Sequence, residues 1–227
     1  MTGTTRTRGF VVAAVVFAAV AATLLVLGLS RQEPEPPPPP SRSQSERDVP
    51  APSDAPSGGG KEEGEDGGEE ARGPVLPESE PVRISIPSID VSSPLVDLGR
   101  QSNGAMETPQ DHEKAGWYTP GPTPGERGPA VIAGHVTWDG EQSVFFALGK
   151  LGAGDRVDVL REDGRKATFE VERVERYPKN DFPTLEVYRN LDHAGLRLIT
   201  CGGAYDEEER SYSDNVVVFA SLADGAA

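Results

Sequence analysis

The hydrophobic and polar residues of this chain follow different patterns in three successive parts. The first is the stretch Phe10 to Leu29, FVVAAVVFAAVAATLLVLGL, which is apolar almost throughout and carries no charge. At about 1.5 Å per residue, a helix of this length crosses the roughly 30 Å hydrocarbon core of a bilayer. Arg6 and Arg8 precede it and no acidic residue does. The positive-inside rule therefore predicts a cytoplasmic N-terminus and an extracellular remainder.

A cleaved signal peptide is the alternative interpretation of this apolar stretch. The apolar region of a signal peptide is usually about 7–15 residues long and ends in a small-x-small cleavage site. Here the stretch is longer and runs on into SRQEPEPPPPP. The sequence favours a retained single-pass anchor in residues 1–30, with its helix at about residues 10–29, in the plasma membrane.

The second part, residues 31–80, has no hydrophobic periodicity. PEPPPPP favours extended polyproline II, and SGGGKEEGEDGGEE combines glycine with like charges. Such a composition buries too little apolar surface to offset the entropy lost on ordering. It predicts a disordered spacer that holds a folded domain away from the membrane.

The third part, residues 81–227, alternates apolar and polar positions and predicts a mainly β domain. The segments VRISIPSIDVSSPLV and DRVDVLREDGRKATFEVERV each predict a pair of short strands, the second joined by a hairpin turn at Asp163-Gly164. The short apolar run PAVIAGHV predicts a buried strand that ends near Gly134, and GLRLITC and NVVVFAS predict two more strands. SVFFALGKL and TLEVYRNL predict short helices or turns. About seven or eight short strands with frequent turn signals favour a closed or nearly closed β-barrel.

Charge and composition exclude several classes of function. The chain has 37 acidic and 22 basic residues, a formal net charge of -15, so it lacks the basic face that nucleic-acid binding needs. One cysteine, three histidines and no HExxH motif provide neither an internal disulfide nor a clear metal-ligand pattern. We expect no nucleic-acid partner, no metal and no cofactor.

Cys201, the only cysteine, is the first candidate for chemistry. It ends the strand-like segment LRLITC and is followed by Gly202 and Gly203, which let a ligand approach the backbone closely. A buried structural thiol is the simpler interpretation, because free cysteine often packs in cores. Outside the cell, however, an exposed unpaired thiol is open to oxidation. The predicted location therefore favours a nucleophile.

His135 ends the segment PAVIAG much as Cys201 ends its own strand, whereas His112 and His193 lie in loop-like sequence and are expected at the surface. A thiol and an imidazole at neighbouring strand ends form the nucleophile and general acid–base pair of cysteine acyl transfer. Arg210 follows in ERSYSD and is a candidate for stabilising an oxyanion or orienting a substrate carbonyl. A salt bridge with a neighbouring glutamate is its alternative role.

The two-residue period of a β-strand predicts which face two further residues of the Cys201 strand occupy. Arg197 shares a face with Cys201 and is a second candidate for the arginine of the site. Thr200 points to the opposite face and is expected to position backbone without taking part in chemistry.

The segments AVIAGHVTW, LRLITCGG and ERSYSDNVVVFA together resemble motifs of the sortases, membrane-anchored cysteine transpeptidases of Gram-positive bacteria. The segments AGWYTPGPTPGERGP, VFFALGKLGAGDRVDVLREDG and YPKNDFPTLEVY are similar to the class F sortases of actinobacteria. The resemblance covers about residues 82–221. It implies an eight-stranded sortase β-barrel with short helices, preceded by the transmembrane helix and the linker.

By this resemblance Cys201 attacks the threonine carbonyl of an LPxTG-like sorting motif, cleaves the Thr–Gly bond and holds a thioacyl intermediate. His135 protonates the leaving amine and later deprotonates the incoming one. Several sortase classes have their arginine inside the last strand, where NVVVFA has none, so the role passes to Arg210 with Arg197 as second choice. The implied partners are surface proteins with a C-terminal sorting signal and an amine of a peptidoglycan precursor or another acceptor.

Two other functions stay open at this point. A hydrolytic cysteine peptidase shares the chemistry up to the acyl-enzyme and differs only in using water as the acceptor. A non-enzymatic, wall-tethered binding domain would need Cys201 only as a structural residue.

Overall fold

A computed structural model of the chain describes residues 34–40 and 73–224. The predicted anchor helix at about residues 10–29 lies outside these residues. Within the described ranges, no helix is long and apolar enough to cross a membrane.

The core of the described structure is a closed barrel of eight strands, as the sequence predicts. Two further short strands, β5 and β6, pair only with each other in a small hairpin. The strands in chain order are β1 Pro81–Ile86, β2 Val91–Leu98, β3 Ala115–Tyr118, β4 Gly128–Ala133, β5 Thr137–Trp138, β6 Glu141–Gln142, β7 Arg156–Arg161, β8 Lys166–Pro178, β9 Ala194–Asp206 and β10 Ser211–Leu222. Around the barrel the order is β1-β2-β3-β4-β9-β10-β8-β7.

Within residues 34–40 and 73–224, helical structure is limited to short segments outside the barrel wall. One α-helix, α1, spans Thr184–Tyr188, and 3-10 turns lie at Pro87–Ile89, Leu148–Lys150 and Lys179–Asp181. The segments SVFFALGKL and TLEVYRNL therefore contain the short helices predicted for them.

Alternation along the strands separates the barrel interior from its outer face. In β7, Val157 and Val159 are fully buried in the interior while Leu160 is exposed. In β9, Leu196 and Leu198 face the interior core, and Ile199 belongs to a second apolar cluster on the outer face. Because both faces of β9 are covered there, its apolar residues are not confined to alternate positions.

The turn between β7 and β8 lies where Asp163-Gly164 predicts it. The Gly164 N–H donates to Arg161 O at 3.1 Å, and Gly164 has φ 79°. Of the two turn residues only Gly164 has a positive φ, so the loop is a type I turn followed by a left-handed glycine, a common form of longer hairpin loop.

Contacts with the barrel begin before residue 81, the domain start predicted from the sequence. Leu76 is buried in the interior core, and its N–H donates to Gly125 O at 2.7 Å. The fully buried guanidinium of Arg161 donates to Pro124 O at 3.1 Å and also to Pro77 O. Leu76 and Pro77 are therefore fixed to the barrel by an apolar contact and by a buried cation.

Candidate active site

The pairing of β4 with β9 brings Cys201 and His135 to the same level. These strands run parallel, and Ala133 pairs with Ile199. His135 and Cys201 each lie two residues beyond that pair. Beyond the ladder, the Gly134 N–H donates to Ile199 O at 3.1 Å and the Thr200 hydroxyl donates to Gly134 O at 2.8 Å. His135 therefore lies just beyond the end of β4 at the level of Cys201, whereas β9 continues to Asp206 instead of ending at Cys201 as the sequence predicts. Thr200 holds backbone, as its predicted orientation requires.

Gly134 makes the turn from β4 into His135 possible. A Cβ there would lie 2.7 Å from Val144 Cγ1 and 2.8 Å from Phe145 Cδ2. The Phe145 N–H also donates to His135 O at 3.0 Å. The chain after β4 is thus packed tightly against the segment that leads to the 3-10 turn at Leu148–Lys150, and this packing fixes the backbone of His135.

The His135 ring is oriented by a backbone carbonyl and by an aromatic side chain. Its Nε2 lies 2.9 Å from Pro109 O, and the Trp138 ring meets it edge-on at 5.1 Å between centroids. Because a carbonyl oxygen only accepts, Nε2 carries the proton and Nδ1 is the basic nitrogen of the neutral ring. This arrangement suits a residue that takes up and releases a proton at one defined position.

The other two histidines have structural partners. His112, expected at the surface, is half-buried and stacks on Trp138 at 5.9 Å between centroids, so it supports the same indole that contacts His135. His193 is also half-buried, and its Nδ1 lies 2.9 Å from an Asp192 carboxylate oxygen. The position of His112 could not be predicted from the sequence, because the return of its loop to β5 depends on tertiary contacts.

The two glycines after Cys201 serve the β9–β10 hairpin. A Cβ at Gly202 would lie 2.8 Å from Val216 Cγ2. Gly203 has φ 79°, and a Cβ there would lie 2.4 Å from Ser213 Oγ. The space that these glycines were predicted to leave for a ligand is filled at both positions by side chains of β10. Cys201 itself is half-buried and pairs across the strands with Asn215.

Cys201 and His135 lie where two cavities meet. The larger cavity, of about 830 Å³, is an apolar groove with Tyr118, Phe182 and Tyr188 among its lining residues. The smaller, of about 450 Å³, is lined by more polar groups that include Thr137, Trp138, Lys179, Arg210 and Tyr212. Cys201 and His135 line both, so a bond formed at the thiol is accessible from two directions.

Arg210 lies in the second cavity with Cys201. It occupies the turn between β9 and β10, where its φ of 51° is unusual for a residue with a side chain. In the described part of the chain it forms no ion pair with Glu207, Glu208 or Glu209. The Asp206 carboxylate instead caps the turn by accepting the N–H groups of Glu208 and Glu209 at 2.8 and 3.0 Å.

Arg197 lies in a different environment. It is 5% exposed, lines neither cavity, and its guanidinium carbon lies 4.6 Å from the centroid of the Phe219 ring. Burial lowers the pKa of Arg197 to about 10, and the nearby positive charge of Arg173 acts in the same direction. It shares a face with Cys201 as predicted, but four residues along a strand are about 13 Å.

Two polar residues near Cys201 were missed by sequence analysis. Lys179 lines both cavities, and its ammonium donates to Ser211 Oγ at 2.9 Å. Asn215 lines the larger cavity opposite Cys201. The pairing of Asn215 with Cys201 depends on a register shift between Tyr212 and Asp214. No local sequence pattern predicts this shift. Among the described residues, no group of three His, Cys, Asp or Glu side chains is placed to hold a metal ion.

The sequence matches the family model of the sortase domain over residues 84–223. Since this match spans more than half of the 227 residues, the chain belongs to the sortase family, whose members are cysteine transpeptidases. A search of curated proteins finds no match.

Several solved structures are similar to this chain. Sortase A from Corynebacterium diphtheriae is 22% identical, and the match covers 65% of this chain and 62% of that one with a TM-score of 0.49. For sortase C1 from Streptococcus agalactiae the identity is 19%, the coverage 63% and 67%, and the TM-score 0.48. A Clostridium perfringens sortase D5 transpeptidase is 23% identical, with coverage of 64% and 79% and a TM-score of 0.47.

Proposed function

We propose that this protein is a membrane-anchored cysteine transpeptidase of the class F type. It cleaves an LPxTG-like sorting motif and transfers the attached protein to an amine of the cell wall. The observation that carries the proposal is the placement of Cys201 and His135 together at the junction of two cavities, in a chain of the sortase family. The apolar stretch at residues 10–29 and the arginines before it support a single-pass anchor with the catalytic domain outside the cell.

In the first step the sorting peptide occupies the larger cavity. The aromatic rings of Tyr118, Phe182 and Tyr188 suit the apolar residues of such a motif. The Cys201 thiolate attacks the threonine carbonyl and forms a tetrahedral oxyanion. When this collapses, the Thr–Gly C–N bond breaks, protonated His135 gives its proton to the leaving glycine amine, and a thioester remains on Cys201.

In the second step an acceptor amine enters through the smaller cavity. Neutral His135 removes its proton as the nitrogen attacks the thioester carbonyl. The C–S bond then breaks, an amide forms and the thiolate returns to Cys201. Arg210 and Lys179 line this cavity, and we assign Arg210 to stabilise the oxyanion of both steps.

Mass spectrometry of a trapped acyl-enzyme tests the proposal. The full chain is incubated with a panel of LPxTG-like peptides, quenched in acid and digested. We expect an adduct of the peptide up to its threonine on Cys201, and no adduct with Cys201→Ala at an unchanged melting temperature. An adduct on another residue contradicts the mechanism. A marked loss of stability in Cys201→Ala, with an inactive wild type, supports a binding domain.

The acceptor and the location are tested separately. Adding an amine should divert the acyl group from water to the amine, and a product ratio that never responds to the amine indicates a hydrolytic peptidase. The full chain should sediment with lipid vesicles, whereas a chain without residues 1–30 should stay in solution.

A further inference from the structure

The proline-rich segment of residues 34–40, PEPPPPP, lies against the barrel. Pro36 is buried, and Pro34, Pro37 and Pro39 are half-buried, whereas Glu35 and Pro38 are exposed. One edge of the segment therefore faces the barrel and the other faces solvent. From its composition alone this stretch belonged to a disordered spacer, so its position is a feature of the fold that composition does not reveal.

The segment contacts two places on the barrel. Pro37 O packs against Gly149 in the 3-10 turn at Leu148–Lys150, and the Tyr212 hydroxyl lies 3.4 Å from Pro34 O. The same hydroxyl lies 2.9 Å from Thr137 Oγ1. Thr137 and Tyr212 both line the smaller cavity at Cys201. The N-terminal end of the segment thus contacts the wall of the active site.

Gly149 allows this contact because it has no side chain. A Cβ at this position would lie 2.2 Å from Pro37 O, and its three nearest atoms would all belong to Pro37 and Pro38. The backbone of Gly149 is not in the left-handed region, so its own conformation does not require glycine. The missing side chain makes room for the proline segment.

Proline suits the segment for the same reason. A polyproline II strand leaves its carbonyl groups without internal hydrogen bonds, and it loses little conformational entropy when it binds. Pro34 and Pro37 each present a carbonyl oxygen to the barrel. The segment is therefore pre-organised to bind a groove that offers a hydroxyl donor and an open glycine.

We infer that residues 34–40 are a strap that binds the groove between the turn at Leu148–Lys150 and β10, and so holds the catalytic domain beside the membrane. The inference rests on the proposed anchor. Leu29 ends the apolar stretch, and the five residues from there to Pro34 span at most about 17 Å. A free spacer of residues 31–80 would have an end-to-end distance of roughly 40 Å.

Photo-crosslinking tests the strap in the full chain. A benzophenone amino acid replaces the exposed Glu35, and crosslinks are mapped by mass spectrometry. We expect links to peptides that contain residues 147–151 or 205–212. Gly149→Ala should reduce these links at least about tenfold, because its methyl group overlaps the carbonyl of Pro37. Gly152→Ala is the matched control, since nothing lies within 4 Å of its added Cβ, and it should retain the links.

A second pair of variants changes the segment and leaves the barrel untouched. Pro36→Asp places a charge at a buried position and should also remove the links, whereas Pro38→Asp changes an exposed position and should retain them. Acylation of Cys201 by peptide should stay within about twofold in all four variants, which shows that the barrel is folded. Links that persist in both Gly149→Ala and Pro36→Asp, or that are absent from the wild type, overturn the strap.

Energy transfer to a vesicle surface separates the strap from the anchor. A donor dye is attached to Leu185→Cys in a Cys201→Ala background, because Leu185 is 82% exposed, and the lipid headgroups carry the acceptor. The efficiency of energy transfer from the dye to the headgroups should fall in Gly149→Ala and stay unchanged in Gly152→Ala. Crosslinks without vesicle binding contradict the anchor and support the strap. If both variants bind vesicles with equal efficiency of energy transfer, the strap does not hold the catalytic domain beside the membrane.

Discussion

The guanidinium groups of Arg210 and Arg197 lie in different environments. Arg210 is exposed in a turn and lines the cavity that Cys201 and His135 share. Arg197 is buried, donates to Leu196 O at 3.0 Å and has a nitrogen, Nε, without a hydrogen-bond partner among the described residues. A cation can stabilise an oxyanion only if the substrate reaches it. We therefore propose a catalytic role for Arg210 and a structural role for Arg197.

Substitution of each arginine tests this division. Arg210→Ala should lower kcat/KM for acylation by about 10²–10³-fold, as loss of an oxyanion donor does. Arg197→Met should leave acylation within about threefold. It should leave stability unchanged or higher at neutral pH, because the lowered pKa of about 10 shows that folding disfavours the charged guanidinium. Peptide kinetics and thermal melts provide the measurements. A large loss of acylation in Arg197→Met alone reverses the assignment.

The candidate nucleophile and base could be found from the sequence because each follows an apolar, strand-like segment that its own residues define, although β9 continues past Cys201 to Asp206. Lys179 and Asn215 could not, since their approach to Cys201 depends on the pairing of β10 with β8 and β9. The contact of Pro37 with Gly149 could not be predicted from the sequence either. A glycine in a turn predicts flexibility, and only the fold shows that its open side is occupied.

Among the elements, the β7–β8 hairpin carries a polar cluster on the barrel surface. The Asp158 carboxylate accepts from the Thr168 hydroxyl at 2.7 Å and from the Lys166 ammonium at 3.0 Å. Partial burial raises the pKa of Asp158, but these two hydrogen bonds outweigh it and hold the pKa below its usual value. The charged form is therefore favoured in the folded state.

This cluster makes part of the stability depend on pH. Because the folded pKa of Asp158 lies below the unfolded one, its contribution is present above about pH 4 and is lost as the pH falls through the folded pKa. Asp158→Asn should lower the unfolding free energy by roughly 0.5 kcal/mol at pH 6 and by less at pH 2. Urea melts at both values measure the difference. Asp97→Asn, on the exposed face of β2, is the control, and an equal effect of Asp158→Asn at both pH values contradicts the prediction.

At the scale of the whole molecule, the net charge of -15 favours a cationic partner. An acceptor amine is cationic before it is deprotonated, so the domain should attract it at low salt. We expect the KM for a diamine acceptor to rise about two- to fivefold between 0.02 and 0.3 M salt, because the Debye length shortens over this range. For an amine that also carries a carboxylate the change should be smaller. Equal salt dependence for both acceptors argues against steering by net charge.

The β4–β9 register has a consequence for the order in which the protein matures. It joins residues 128–133 to residues 194–199, and such distant pairings form late because the intervening chain must first be closed into a loop. Before that pairing, the thiol and the imidazole are separate side chains on an open chain. A partly folded molecule therefore carries a cysteine without the imidazole that lies beside it in the barrel. Under the proposed mechanism, the thiol and the imidazole can act together only once the barrel has closed, so activity requires the folded form.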